Sequence, residues 1–348
     1  MLDKHLRIAL VSSASALLLS ACSGGGGSTP NVGGSSFAQS FQSHQSSITR
    51  GFPGSFASRM GLVPGSREPM VGGRNSSPGF MTVEGATSGS KLYVSDLGLN
   101  AVEIYNGSKP GSPTGMITTG ISSPLGNCTD AASNLYVTNI GNNTVTVYAK
   151  GKTSPSKTLS SGLSGPIGCA VGKDGTLYVS EYSADTVVEY DKGKTSPSRT
   201  ITVAGGAEGV ALDSKNNLYV SYNSNSTGTG QVEKFAPKKT TGTVLGLSVQ
   251  FAGDLKFNKA NVMLLEDQIA QAVEFFKPPY KTSSGSISVS GFDTYKLALN
   301  ATESDAFLAV VAAEVPYYQA KPSGALVGTV TSGLSESSGV SLTPAPPN

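Results

Sequence analysis

The sequence predicts an all-β chain, a six-bladed β-propeller of four-stranded antiparallel blades. Three observations carry this. The phrase Leu92-Tyr93-Val94-Ser95 returns as Leu135-Tyr136-Val137-Thr138, Leu177-Tyr178-Val179-Ser180 and Leu218-Tyr219-Val220-Ser221, with the tyrosines 43, 42 and 41 residues apart. A steady period of about 40–45 residues built from strand-forming segments marks a radial β array. The chain is also rich in Gly (43) and Pro (19), as many short strands joined by tight turns require. Finally, no long helical period is present.

Residues 1–21 read as an export signal. Lys4 and Arg7 precede a short apolar run from Ile8 to Leu19, which ends in small residues and is too short to span a bilayer comfortably. Leu19-Ser20-Ala21-Cys22 resembles a bacterial lipoprotein signal, which implies that Cys22 becomes the lipidated first residue of the mature chain. Acyl chains partition into lipid by about 0.8 kcal/mol per CH₂, so the expected address is the cell envelope. In Gram-negative sorting, Ser23 rather than Asp after the Cys implies the outer membrane. Residues 22–78 form a Gly/Ser-rich tether in which Phe37, Phe41, Phe52 and Phe56 follow no regular period.

The propeller is expected over residues 79–335, with 336–348 a tail or a closing strand. The third repeat shows the plan. Gly168 to Val171 is a first strand, Lys173-Asp174-Gly175 a turn, Leu177 to Glu181 a second strand, Val187 to Tyr190 a third and Arg199 to Val203 a fourth. The connection Gly193-Lys194-Thr195-Ser196-Pro197-Ser198 repeats Gly151-Lys152-Thr153-Ser154-Pro155-Ser156, and its Pro cannot donate to a ladder. Later repeats are worn. Met263 and Phe307 are read in the place of the tyrosine, which brings the count to six blades. Two segments compete for the innermost strand of the first blade: Phe80 to Glu84, which is favoured, and Gly339-Val340-Ser341-Leu342, which copies the start of Gly209-Val210-Ala211-Leu212.

Gly209-Val210-Ala211-Leu212-Asp213 followed by Asn217-Leu218-Tyr219-Val220 resembles NHL-type repeats, clearly over residues 79–235 and weakly over 236–335. The resemblance implies a six-bladed propeller. It is distantly shared with gluconolactonase/regucalcin-like hydrolases and virginiamycin B lyase, so a metal-dependent lactonase-like hydrolase or lyase is the alternative function. Against a lyase, the only histidines are His5 and His44, outside the propeller. WD repeats are disfavoured because the chain has no Trp.

Composition narrows the partners. Net charge is +2, with no basic stripe, so nucleic acid is not expected. No Ser/His pairing or nucleophile elbow is visible. Three positions after each tyrosine stand Asp96, Asn139, Glu181 and Tyr222, with Glu266 in the matching place after Met263. Oxygen-bearing residues on one rim could hold Ca²⁺. Equally, Asp and Asn at strand ends commonly satisfy turn backbone, and recurrence at the blade period favours that role. Glu208 stands where other repeats have Leu125 or Ile167, so a polar residue is expected near the channel. The resulting expectation is a non-catalytic binding or scaffold propeller for a protein or glycan, with no cofactor and Ca²⁺ as the weaker alternative.

Cys128 lies eight residues before Tyr136, and Cys169 nine before Tyr178. They occupy adjacent positions of the same first strand in neighbouring blades and so face opposite sides. Two readings stand: a disulfide across the interface of blades 2 and 3, suited to an exported protein, or two buried thiols. The thiols are favoured, because Ala170 and Ala211 fill the position of Cys128.

Overall fold

A computed structural model describes residues 89–344, apart from Ser290 and Phe292. The export signal, Cys22, the tether and Phe80 to Glu84 lie outside the described residues.

The fold is a six-bladed β-propeller. Blade 1 contains β1 (Lys91–Asp96), β2 (Ala101–Asn106) and β3 (Gly115–Ile117). Blade 2 is β4 (Pro124–Thr129), β5 (Leu135–Asn139), β6 (Thr144–Tyr148) and β7 (Lys157–Leu159). Blade 3 is β8 (Pro166–Val171), β9 (Leu177–Glu181), β10 (Thr186–Tyr190) and β11 (Arg199–Thr202). Blade 4 is β12 (Gly205–Leu212), β13 (Leu218–Ser224), β14 (Gly230–Phe235) and β15 (Thr243–Val244). Blade 5 is β16 (Ala252–Phe257), β17 (Met263–Asp267), β18 (Ala272–Phe276) and β19 (Ser283–Ser288). Blade 6 is β20 (Lys296–Leu299), β21 (Asp305–Ala309), β22 (Val315–Gln319) and β23 (Leu326–Val330). The last strand, β24 (Ser337–Thr343), returns to blade 1, whose order is β24-β1-β2-β3.

Local chemistry fixes the turns. Second and third strands are joined by tight turns that place Asn100, Asn143 and Asp185 at φ of 52°, 54° and 54°, a region Asn and Asp tolerate better than other side chains. Packing then joins the blades. The phrase positions Leu92 and Val94 meet Phe307, Ala309 and Val340 in one buried cluster between blades 6 and 1. Tyr105, Tyr148 and Tyr190 end the third strands, and each hydroxyl reaches into the preceding blade. They donate to the carbonyls of Ser332, Thr119 and Ser161 at 2.9, 2.7 and 2.5 Å. That shared reach explains why the tyrosine recurs twelve residues after the phrase.

The closing strand corrects one expectation. β24 pairs antiparallel with β1 from Lys91 opposite Thr343 to Asp96 opposite Ser337, so the C-terminal segment, not Phe80 to Glu84, closes the ring. The propeller therefore extends to Thr343 rather than ending at 335. Alternation decides it: Val340 and Leu342 are each 2% exposed and join the cluster between blades 6 and 1. A Cβ on Gly339 would stand 2.2 Å from the Leu125 carbonyl oxygen, so this close approach of two first strands requires glycine.

Blade 5 corrects another. Met263 stands opposite Phe276, as Leu92 stands opposite Tyr105 and Leu135 opposite Tyr148. Met263 thus takes the place of the phrase's leucine and Leu264 that of its tyrosine. A slip of one residue exchanges the two faces of a strand, so Asp267, not Glu266, is the counterpart of Asp96.

Candidate functional site on the propeller axis

Most of the polar rim residues bond inside their own blades. Asp96 accepts the backbone N–H groups of Ser335 and Glu336, at 2.7 and 3.1 Å, where the chain enters β24, and that of Leu99 at 2.8 Å. Asn139 accepts Ser122 N–H at 3.0 Å ahead of β4. Glu181 accepts Ser164 N–H ahead of β8. Asp267 accepts Gln250 and Phe251 N–H, at 2.7 and 3.2 Å, ahead of β16. In each case the side chain ending a second strand caps the segment that leads into the first strand of the same blade. Tyr222 is buried in the blade 4 core, and its neighbour Asn223 supplies the polar link, bonding both N–H and C=O of Ala252 at 2.9 and 3.0 Å. This geometry serves blade building and leaves no converging oxygen set. Among the described residues, no three His, Cys, Asp or Glu side chains stand together as metal ligands.

The axis itself holds a different group. First strands of five blades carry an irregularity of register near their start: β24 between Ser337 and Gly339, β4 between Pro124 and Asn127, β8 between Pro166 and Gly168, β12 between Ala207 and Gly209, and β16 between Ala252 and Leu255. A bulge re-aims side chains. Leu125, Ile167, Tyr295 and Val311 form one buried cluster. Blades 3 and 6 face each other across a six-membered ring, so a cluster joining Ile167 to Tyr295 lies on the axis.

Glu208 occupies the same bulge in blade 4, as its sequence position suggested, and is fully buried. Its two carboxyl oxygens accept no hydrogen bond among the described residues. The ammonium of Lys296, from blade 6, lies 3.9 Å from its Oε2 and donates to its backbone carbonyl at 3.0 Å. That ammonium also sits 4.2 Å from the centre of the Tyr295 ring. Asp254, on β16, accepts Lys256 Nζ at 2.6 Å and Leu297 N–H at 3.2 Å. Glu266 turns inward beside it and accepts Asp254 N–H at 3.0 Å. Burial pushes the Glu208 carboxyl up to about 7, with Lys296 opposing and Asp254 adding to the rise. Burial, and then Asp254, push Glu266 up to about 8. Away from the axis, burial lifts Glu181 to about 7, opposed by the Ser164 N–H.

Neither the protein-family models nor the curated proteins contain a match to this chain. Solved structures do. A chain of a nidogen/laminin complex superposes with a TM-score of 0.64 at 14% identity, covering 74% of this chain and all of that one. A chain of hydrazine synthase from Kuenenia stuttgartiensis superposes with a TM-score of 0.53 at 14% identity, covering 72% of this chain and 86% of that one. At this identity the likeness is one of fold.

The first strands end at the rim opposite Asp96, and there the axis opens into a pocket of about 560 Å³ lined by residues of all six blades. Cys128 and Cys169 form part of its wall. They are joined by a disulfide with Cα atoms 5.7 Å apart, so the favoured reading of two free thiols is replaced by the bridge. The register explains it: Cys128 stands opposite Tyr136, whereas Cys169 stands opposite Val179 and Ala170 takes the place opposite Tyr178. One position of offset turns the two side chains toward each other across the interface, and first strands converge near the axis.

Sequence reasoning reached Glu208 but missed Asp254, Lys256, Lys296 and Asp267. The signal for the first two was Asp-Leu-Lys, in which charged residues take alternate positions of a strand. Lys296, set before Leu297-Ala298-Leu299, carried no repeat to mark it.

Proposed function

We propose that this protein is a non-catalytic binding propeller, built from NHL-like repeats and carried by its export signal to the bacterial cell envelope. Lipid on Cys22 holds it at a membrane, the outer one in a Gram-negative cell, and its loop-bearing faces receive a protein or glycan partner. The observation that carries the reading is the use of the rim residues. Asp96, Asn139, Glu181 and Asp267 all cap their own blades, which supports a structural use of the rim. The similar fold in a nidogen/laminin complex, a protein–protein assembly, supports the use of such a scaffold for partner binding.

Two measurements test it. Cys22→Ser is expected to move the protein from the membrane fraction to the soluble one, and unchanged partition would count against the anchor. Assay of the purified protein against a panel of lactones with about 5 mM Ca²⁺, above the weak-site range of about 0.1–1 mM, is expected to give no turnover. Hydrolysis abolished by chelator would overturn the binding role in favour of a metal-dependent hydrolase.

A further inference from the structure

We propose that the axial pocket is a binding site for a small amphipathic carboxylate, its apolar body against the pocket wall and its charge toward Lys256. This site stands apart from partner binding on the faces, and its existence does not depend on that role. At about 560 Å³ the pocket falls within the range of roughly 300–1,000 Å³ in which proteins hold small molecules. Its wall is mostly apolar, with Val210, Leu212, Phe257, Leu299 and Leu342 contributed by four blades. An apolar body is therefore the part of a ligand that gains most from entering.

The charge of the lining selects the other end. Two charged residues line the pocket, Lys173 and Lys256, and no Asp or Glu does. Lys173 is exposed at the pocket's rim. Lys256 is held in place: its ammonium donates to Asp254 Oδ2 at 2.6 Å and to the Leu255 carbonyl at 3.1 Å. An ammonium has three donors, so one remains, and the side chain is 26% exposed. A neutral apolar molecule would leave that remaining Lys256 donor unused, and a cation would meet two lysines.

The test uses the full chain as Cys22→Ser, which keeps the wall intact and removes attached lipid. Decanoate, decan-1-ol and decylammonium are titrated calorimetrically below their micellar concentrations. Decanoate is expected to bind at least tenfold more tightly than the alcohol, and decylammonium more weakly than either. Lys256→Gln is expected to bring decanoate down to the level of the alcohol, leaving the alcohol unchanged. Ala170→Phe, which places a ring at the partly buried wall, is expected to abolish both. A measurement on the unsubstituted pocket guards against variants that fail to fold: decanoate should slow reduction of the Cys128–Cys169 disulfide by a phosphine, because the bridge lies in the wall. Absence of binding by all three probes, equal affinity for acid and alcohol, or an unchanged reduction rate at saturating decanoate would each overturn the proposal.

Discussion

Removing residues 337–348 should open the ring. The deletion takes away β24, and with it the ladder to β1 from Lys91 to Asp96. Val340 and Leu342, each 2% exposed, leave the cluster they share with Leu92, Val94 and Phe307. Burial of one such side chain stabilises by about 1.5–3 kcal/mol, so the two account for about 3–6 kcal/mol before any backbone term. The N–H and C=O groups on one edge of β1 would also lose their partners, and the chain beside Leu125 would lose its cover. Set against a typical domain stability of about 5–15 kcal/mol, that loss is a large fraction of the whole. A graded form is Leu342→Ala, expected to cost about 2–5 kcal/mol. The assay is urea unfolding followed by tyrosine fluorescence, comparing midpoints at equal slope. Unfolding free energies agreeing to within about 0.5 kcal/mol between the deleted and intact proteins would refute the closure, since that is the scale of a neutral surface change.

Stability should fall as pH rises from about 4.5 to 8. Glu208 and Glu266 keep their protons in the folded protein up to about 7 and about 8, against an ordinary value of 4.5, so between these limits the folded state binds more protons than the unfolded one. Glu266→Gln should flatten the slope and gain stability at pH 9; an unaltered slope would show that the buried carboxyl is not its source. Replacing both Cys128 and Cys169 by Ser should lower stability by up to about 4 kcal/mol, the loop-entropy value for a bridge spanning 41 residues, and an unchanged melting temperature would argue that the bridge is absent in solution. Asp267→Ala should cost about 1–3 kcal/mol, because it strips the acceptor from the N–H groups of Gln250 and Phe251; a loss below about 0.5 kcal/mol would remove the capping role.

The sequence alone determined the blade and the number of blades. Each blade is a local object: its strands follow one another in the chain, its turns carry their own Asn, Asp and Gly, and its tyrosines recur because the same inter-blade hydrogen bond recurs. The rim residues were legible for the same reason, since a role repeated in every blade leaves a period. What joins distant parts of the chain left no period, and the tertiary structure decided it. Closure depended on whether Gly339 could pass the Leu125 carbonyl, a contact across more than two hundred residues. The face taken by Glu266 depended on a one-residue register in a blade whose key phrase had worn away. The Cys128–Cys169 bridge required the offset of two first strands to meet their convergence near the axis. The axial group of Glu208, Asp254 and Lys296 exists only because three blades close around a common line, two placing a carboxylate at a first-strand bulge and the third a lysine at the start of β20.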